Sequence, residues 1–491
     1  MKKAIVIGGG FAGLSAAAFL AKDGMSVTII EKNQTIGGRA RLLKTKGYSF
    51  DMGPSWYWMH DIYENFFNKF SYKSSDFYEL IKLDPGFKVI FDSEEINIPA
   101  NFKETCKIFE KYETDGEKKL KAFMRDAEKK YKIGLDFLYR SPGLSILELF
   151  RKDLIYNMKD LTLLSSYSKH VRKYFNNPFL IHILEFPVLF LGATAKNMPA
   201  LYSLMSYSGI KQGTYYPIGG FNKIINSMRK VCTSLDVNIF ENEEVLKINI
   251  KNNQAVSVKT NKRNIEADII ISSADYEHVE NSLIPKNLKN YSNKYWENKQ
   301  FSPSSLIFYL GINKKVNNLE HHNLFFDEDI EKNSEDIYTH KRWNKKPLFY
   351  VCCPSKTDNS LAPKGKENIF ILMPIAAGLE DTEEIREKYF KIIINKIEKY
   401  TKQKLVNSID YKKSYCINDF KNDYYAYKGN AYGLANTLSQ TANLKPKIIN
   451  KKIHNLFYTG QLTVPGPGVP PSIISGELVA KHIIEKTSSK S

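Results

Sequence analysis

The stretch that most constrains the fold lies at the start of the chain. An apolar run, Ala4-Ile-Val-Ile7, leads into Gly8-Gly-Gly10-Phe-Ala-Gly13, then a segment rich in small residues from Ala12 to Lys22, then Val27-Thr-Ile-Ile30. These lengths and periods predict a strand, a tight turn, a helix and a second strand, the βαβ unit of an α/β fold. In that setting Gly-x-Gly-x-x-Gly is a dinucleotide fingerprint. Gly8 permits the turn, Gly10 lets backbone approach a pyrophosphate, and Gly13 lets the helix pack close to the strand. The helix start then offers N–H groups and a positive dipole end to phosphate. Glu31 closes the second strand, where a carboxylate accepts from both hydroxyls of an adenosine ribose and disfavours a 2′-phosphate.

Directly after that strand comes Ile36-Gly-Gly-Arg-Ala-Arg41, a second glycine loop that brings guanidinium charge to the dinucleotide and separates FAD from NAD. A strand Ala267–Ser272 ends at Ser273-Ala-Asp275, and near Leu456-Phe-Tyr458 the chain returns to a strand, followed by a Gly/Pro loop and a helix predicted from about Ser472 to Lys486. Gly460 and the Pro465-to-Pro471 loop stiffen a backbone that can lie against a planar ring, with the positive end of the helix aimed at it.

Several further motifs carry a resemblance. Gly47-Tyr-Ser-Phe-Asp-Met-Gly-Pro-Ser55, Tyr216-Pro-Ile-Gly-Gly220, Gly429-Asn-Ala-Tyr-Gly433 and the closing Tyr458-Thr-Gly-Gln-Leu-Thr-Val-Pro-Gly-Pro-Gly-Val-Pro-Pro-Ser-Ile-Ile-Ser-Gly476 resemble the bacterial-type phytoene desaturases, carotenoid desaturases of the amine oxidase-like flavoproteins. The resemblance is close at both ends and looser in the middle. It implies FAD, with Gly8, Gly10, Ala12, Gly13, Glu31, Lys32, Gly38 and Arg39 on the dinucleotide half. It places Gly53, Pro54 and Ser55 near the flavin, Val245 at the adenine, and Gly460, Val469, Pro470 and Ile473 around the ribityl chain and ring. It implies hydride abstraction from a long polyene such as phytoene, with oxygen or a quinone as final acceptor and no assigned catalytic side chain. Alternatives are a carotenoid 3,4-desaturase, a carotenoid isomerase, an amine oxidase-like enzyme or a prenyl-lipid escort protein. The family's usual Arg-Pro before the last strand stands here as Lys445-Pro446.

At 491 residues the chain exceeds one ordinary core. The alternation of patterns predicts a Rossmann-type FAD-binding domain assembled from residues 1–70, 212–282 and 446–491. A helical, membrane-facing subdomain over 71–211 and a mixed α+β substrate domain over 283–445 complete the expectation. The net charge of +18 accompanies no zinc-finger spacing or RNP-like motif, so the sequence favours an anionic lipid surface over nucleic acid. Leu147 to Phe190 mixes apolar residues with Arg151, Lys152, Lys159, Lys169, Arg172 and Lys173, a composition suited to lying in a membrane interface. The most apolar run, Phe179 to Ala193, is too short and interrupted to span one. Five cysteines with no Cys-x-x-Cys and a start lacking a signal peptide point to a cytoplasmic protein bound peripherally to membrane. No metal site is expected, and the adjacent His321 and His322 read as surface residues. Trp56, Tyr57 and Trp58 are candidates for the substrate channel or the core.

Overall fold

The computed structural model describes residues 1–145, 148, 165–189, 191–437 and 439–488. Three separated stretches of chain build one five-stranded parallel sheet, in the order Leu456–Tyr458, Ile269–Ser272, Lys3–Ile7, Ser26–Ile30, Asn238–Phe240. Ala4 pairs with Ile269 on one side and with Val27 on the other. The fingerprint strand is therefore central and covered on both faces, which is why it reads as an unbroken apolar run.

Helix Phe11–Lys22 crosses the closing helix Val469–Ser488, which starts three residues before its predicted position. The crossing is nearly backbone to backbone: a Cβ on Gly476 would stand 2.3 Å from the Ala12 carbonyl oxygen. The Ser15 hydroxyl donates to the Ile473 carbonyl at 2.7 Å, and the Gly460 N–H donates to Ser475 Oγ at 2.9 Å. The two ends of the chain are thus tied together beneath the dinucleotide loop.

A second, seven-stranded sheet runs Ile409–Tyr415, Ser304–Ile312, Glu367–Ile375, Phe349–Cys352, His322–Phe325, Phe87–Ile90, Glu95–Ile98. Every neighbouring pair is antiparallel except His322–Phe325 with Phe87–Ile90. Its last two strands come from the region expected to be helical. Glu95-Ile-Asn-Ile98 alternates exposed and buried, the period of a strand with one face covered. Helices Phe102–Tyr112, Gly116–Arg140 and Pro178–Leu189 do lie in that region. No helix among the described residues is long and apolar enough to cross a membrane. Arg151, Lys152 and Lys159, with much of the predicted interfacial segment Leu147 to Phe190, lie outside the described residues.

Candidate functional site

A cavity of about 690 Å³ runs from the fingerprint loop past the second glycine loop and into an apolar arm. Gly8, Gly10, Ala12, Glu31, Lys32, Gly38, Arg39, Gly53, Pro54, Ser55, Val245, Gly460, Val469 and Pro470 all line it. Gly13 and Ile473 do not. A Cβ on Gly13 would fall 2.0 Å from the Gly8 carbonyl oxygen, so this glycine closes helix against strand. Ile473 is 2% exposed and turned into the helix crossing.

The polar end of the cavity is built for an anion. Helix Phe11–Lys22 has Gly10 at its N-cap with no side-chain cap, so its first N–H groups face the cavity without an internal partner. Arg39 is held by a bond to the Asn430 carbonyl at 3.2 Å and lies 4.8 Å from the Tyr424 ring centre, while its buried Nε has no partner. Beside it the Asp275 carboxyl is pushed up to about 6 by burial, against the opposing pull of Arg39. Glu31 accepts from the Gly9 N–H at 2.9 Å, from the Asn33 N–H at 2.9 Å and from Asn33 Nδ2 at 2.8 Å. One carboxylate therefore fixes the glycine loop and borders the cavity. Lys32 spends its ammonium on the Asn422 carbonyl at 2.6 Å and on the Tyr425 ring at 3.8 Å, so it walls the site rather than reaching into it. These donors, the uncapped helix start and the orphaned guanidinium nitrogen fit a dinucleotide.

At the start of the closing helix the arrangement is leaner than the sequence suggests. Pro470 and Pro471 have no N–H, and the Ser472 N–H is used on the Gly468 carbonyl at 3.0 Å. Val469 alone among the first three helical residues has an N–H to offer the cavity. The apolar arm is lined by Phe137, Leu138, Leu201, Leu204 and Met205, with Trp56 and Trp58 on its wall. Tyr57 faces the other way, stacked on Tyr63 at 4.2 Å with its hydroxyl 2.9 Å from that of Tyr78.

Sequence reasoning missed Tyr350, His278, Gln461 and Tyr424, which line the cavity from distant parts of the chain; Asp275 was visible only as the residue after a strand. It also misplaced His321 and His322. They are 4% and 0% exposed, because His322 opens a central strand of the second sheet.

Residues 11–484 match the family described as flavin containing amine oxidoreductase. The chain belongs to that family. Within this flavin-containing oxidoreductase family it is 36% identical over 483 residues to a carotenoid 3,4-desaturase of Haloarcula japonica, covering 98% of this chain and 97% of that one. It is 30% identical over 505 residues to a 4,4′-diapophytoene desaturase (4,4′-diaponeurosporene-forming) of Staphylococcus aureus, covering 98% and 99%. An oxidoreductase of Methanosarcina mazei shares the fold with a TM-score of 0.65 at 16% identity, over 98% of this chain and 100% of that one. The chain is accordingly a carotenoid desaturase-type flavoprotein, an FAD-dependent oxidoreductase acting on CH–CH bonds.

Proposed function

We propose that the chain introduces conjugated double bonds into a long, membrane-dissolved carotenoid precursor of the phytoene type. The observation that carries this reading is the single cavity whose one end is polar and glycine-lined while the other is an apolar arm. In this reading Glu31 and Val245 hold the adenosine, Gly8 to Ala12 with Arg39 hold the pyrophosphate, and Gly53 to Ser55 with Gly460, Val469 and Pro470 surround the ring. Desaturation takes a hydride from one carbon and a proton from its neighbour. Bound FAD supplies the two-electron acceptor. The chain's own residues bind and orient: the Val469 N–H and the positive helix end favour negative charge on the ring, and the apolar arm holds the polyene extended and excludes water. Lys169, Arg172 and Lys173, exposed around the short helix Tyr167–Val171, support docking on anionic lipid.

The test is product chromatography after expression in cells that accumulate phytoene. Loss of phytoene with appearance of longer conjugated absorption is the expected result. A second reading, favoured by the 36% identity to a carotenoid 3,4-desaturase, is action on an already conjugated carotenoid. It predicts untouched phytoene and a red shift only when a conjugated carotenoid is supplied; unchanged pigment in both cells would overturn both readings.

A further inference from the structure

Behind the wall of the cavity lies a cluster that neither the fingerprint nor the desaturase chemistry uses. Strand His322–Phe325 pairs with Phe349–Cys352 in the register that sets His322 directly opposite Cys352, and His321 precedes it. One donor atom from each of His321, His322 and Cys352 lies within 4.8 Å of the other two, and all three residues are buried. Nδ1 of His321 is bonded to Thr357 Oγ1 at 2.8 Å, and Nδ1 of His322 to the Tyr350 hydroxyl at 2.6 Å. Nε2 of each ring is buried with no partner.

Two imidazoles, each oriented through Nδ1 by an oxygen and free at Nε2, with a thiol beside them, form the ligand pattern of a structural metal site with its supporting shell in place. Two orphaned ring nitrogens in a core need a reason. A small cavity of about 20 Å³, bordered by His321, Cys352, Asp51, Ser55 and Tyr216, has room for one water as a fourth ligand. The buried Tyr216 hydroxyl, itself without a partner, borders the same space. Nitrogen and sulfur donors exclude magnesium and calcium, which demand oxygen.

We infer that His321, His322 and Cys352 bind one zinc ion. The Cys352 thiol releases its proton to solvent as the Zn–S bond forms. The resulting thiolate offsets part of the charge of the ion. The ion braces the wall facing the main cavity, because Tyr350 reaches Ser55 Oγ at 3.0 Å and Trp56 stacks on His322 at 4.1 Å.

The test is elemental analysis of the flavin-loaded protein after incubation with zinc and dialysis. Cobalt loading, read as ligand-field bands to the red of the flavin absorption, reports the ligand set. About one equivalent per chain is expected in the parent, falling at least tenfold in Cys352→Ala and in His321→Gln. Cys353→Ala removes the neighbouring buried thiol, which lies 3.7 Å from Ser355 Oγ and away from the cluster, and should keep the metal. FAD content monitors folding in every variant. Less than a tenth of an equivalent in the folded parent, or full retention in folded Cys352→Ala, would overturn the site.

Discussion

At Gly10 the backbone is ordinary, with φ of −80°, and an added Cβ would meet nothing nearer than Gly38 Cα at 3.9 Å. The protein itself has room for a side chain there; a pyrophosphate lying against the helix start does not. Gly10→Val should therefore fold with a melting temperature near that of the parent apoprotein and lose FAD, measured as flavin absorbance per chain after gentle purification. A variant that keeps full flavin would move the pyrophosphate elsewhere. Glu31→Ala should cost more than a ribose contact, because the same carboxylate fixes Gly9 and Asn33; FAD affinity should fall by at least tenfold, and unchanged affinity would take Glu31 out of the site. These residues were legible because their chemistry is local: fingerprint, strand end and glycine loop lie within about forty positions. His322 and Cys352 were not, since only the strand register brings residues thirty apart face to face.

Elements that join distant segments carry the pH dependence. Glu280 is fully buried and accepts from the Asn290 N–H at 2.7 Å, the Tyr291 N–H at 3.1 Å and the Tyr458 hydroxyl at 3.4 Å, so it fastens the edge strand Leu456–Tyr458 to the segment after Ile269–Ser272. Burial pushes its carboxyl up to about 7. Between its ordinary value and that point the folded chain keeps a proton that the unfolded chain has released, so this group makes stability fall as pH rises and contributes no further change above about 7. Glu280→Gln cannot titrate. The melting temperature of the parent minus that of the variant should shrink by about 2 °C or more between about pH 5 and pH 8. An equal difference at both pH values would mean that Glu280 titrates normally. Four of the five strands of the parallel sheet, those at Ala4–Ile7, Val27–Ile30, Ala267–Ser272 and Leu456–Tyr458, were readable from their apolar runs. Strand Phe87–Ile90 was not, because four residues interrupted by Lys88 show no distinguishing period until a partner strand gives them one.

Taken whole, the molecule carries a net basic charge and an apolar arm that, on the function proposed above, takes up a hydrocarbon dissolved in lipid. The net charge is +18, and no helix among the described residues is long and apolar enough to span a bilayer. On the function proposed above, attachment rests on cationic groups at the interface together with an apolar face. Arg172 is partly committed, paired with Glu185 and 3.9 Å from Glu331, so in the proposed docking Lys169 and Lys173 beside it carry more of the attraction. Attraction between exposed charges and anionic lipid is screened over about 8 Å at physiological salt. The protein should cosediment with anionic liposomes at low salt, lose at least half of that binding at high salt, and bind neutral liposomes several-fold more weakly. Reversing Lys169 and Lys173 to Glu should reduce anionic binding by roughly thirtyfold or more, since two basic residues near the surface together contribute on the order of 2 kcal/mol. FAD content should stay unchanged, because neither lysine borders the cavity. Conversion of substrate carried in liposomes should fall in parallel with binding. Salt-insensitive cosedimentation would shift the attachment to the apolar face alone, and full turnover without any lipid phase would remove the membrane from the reaction.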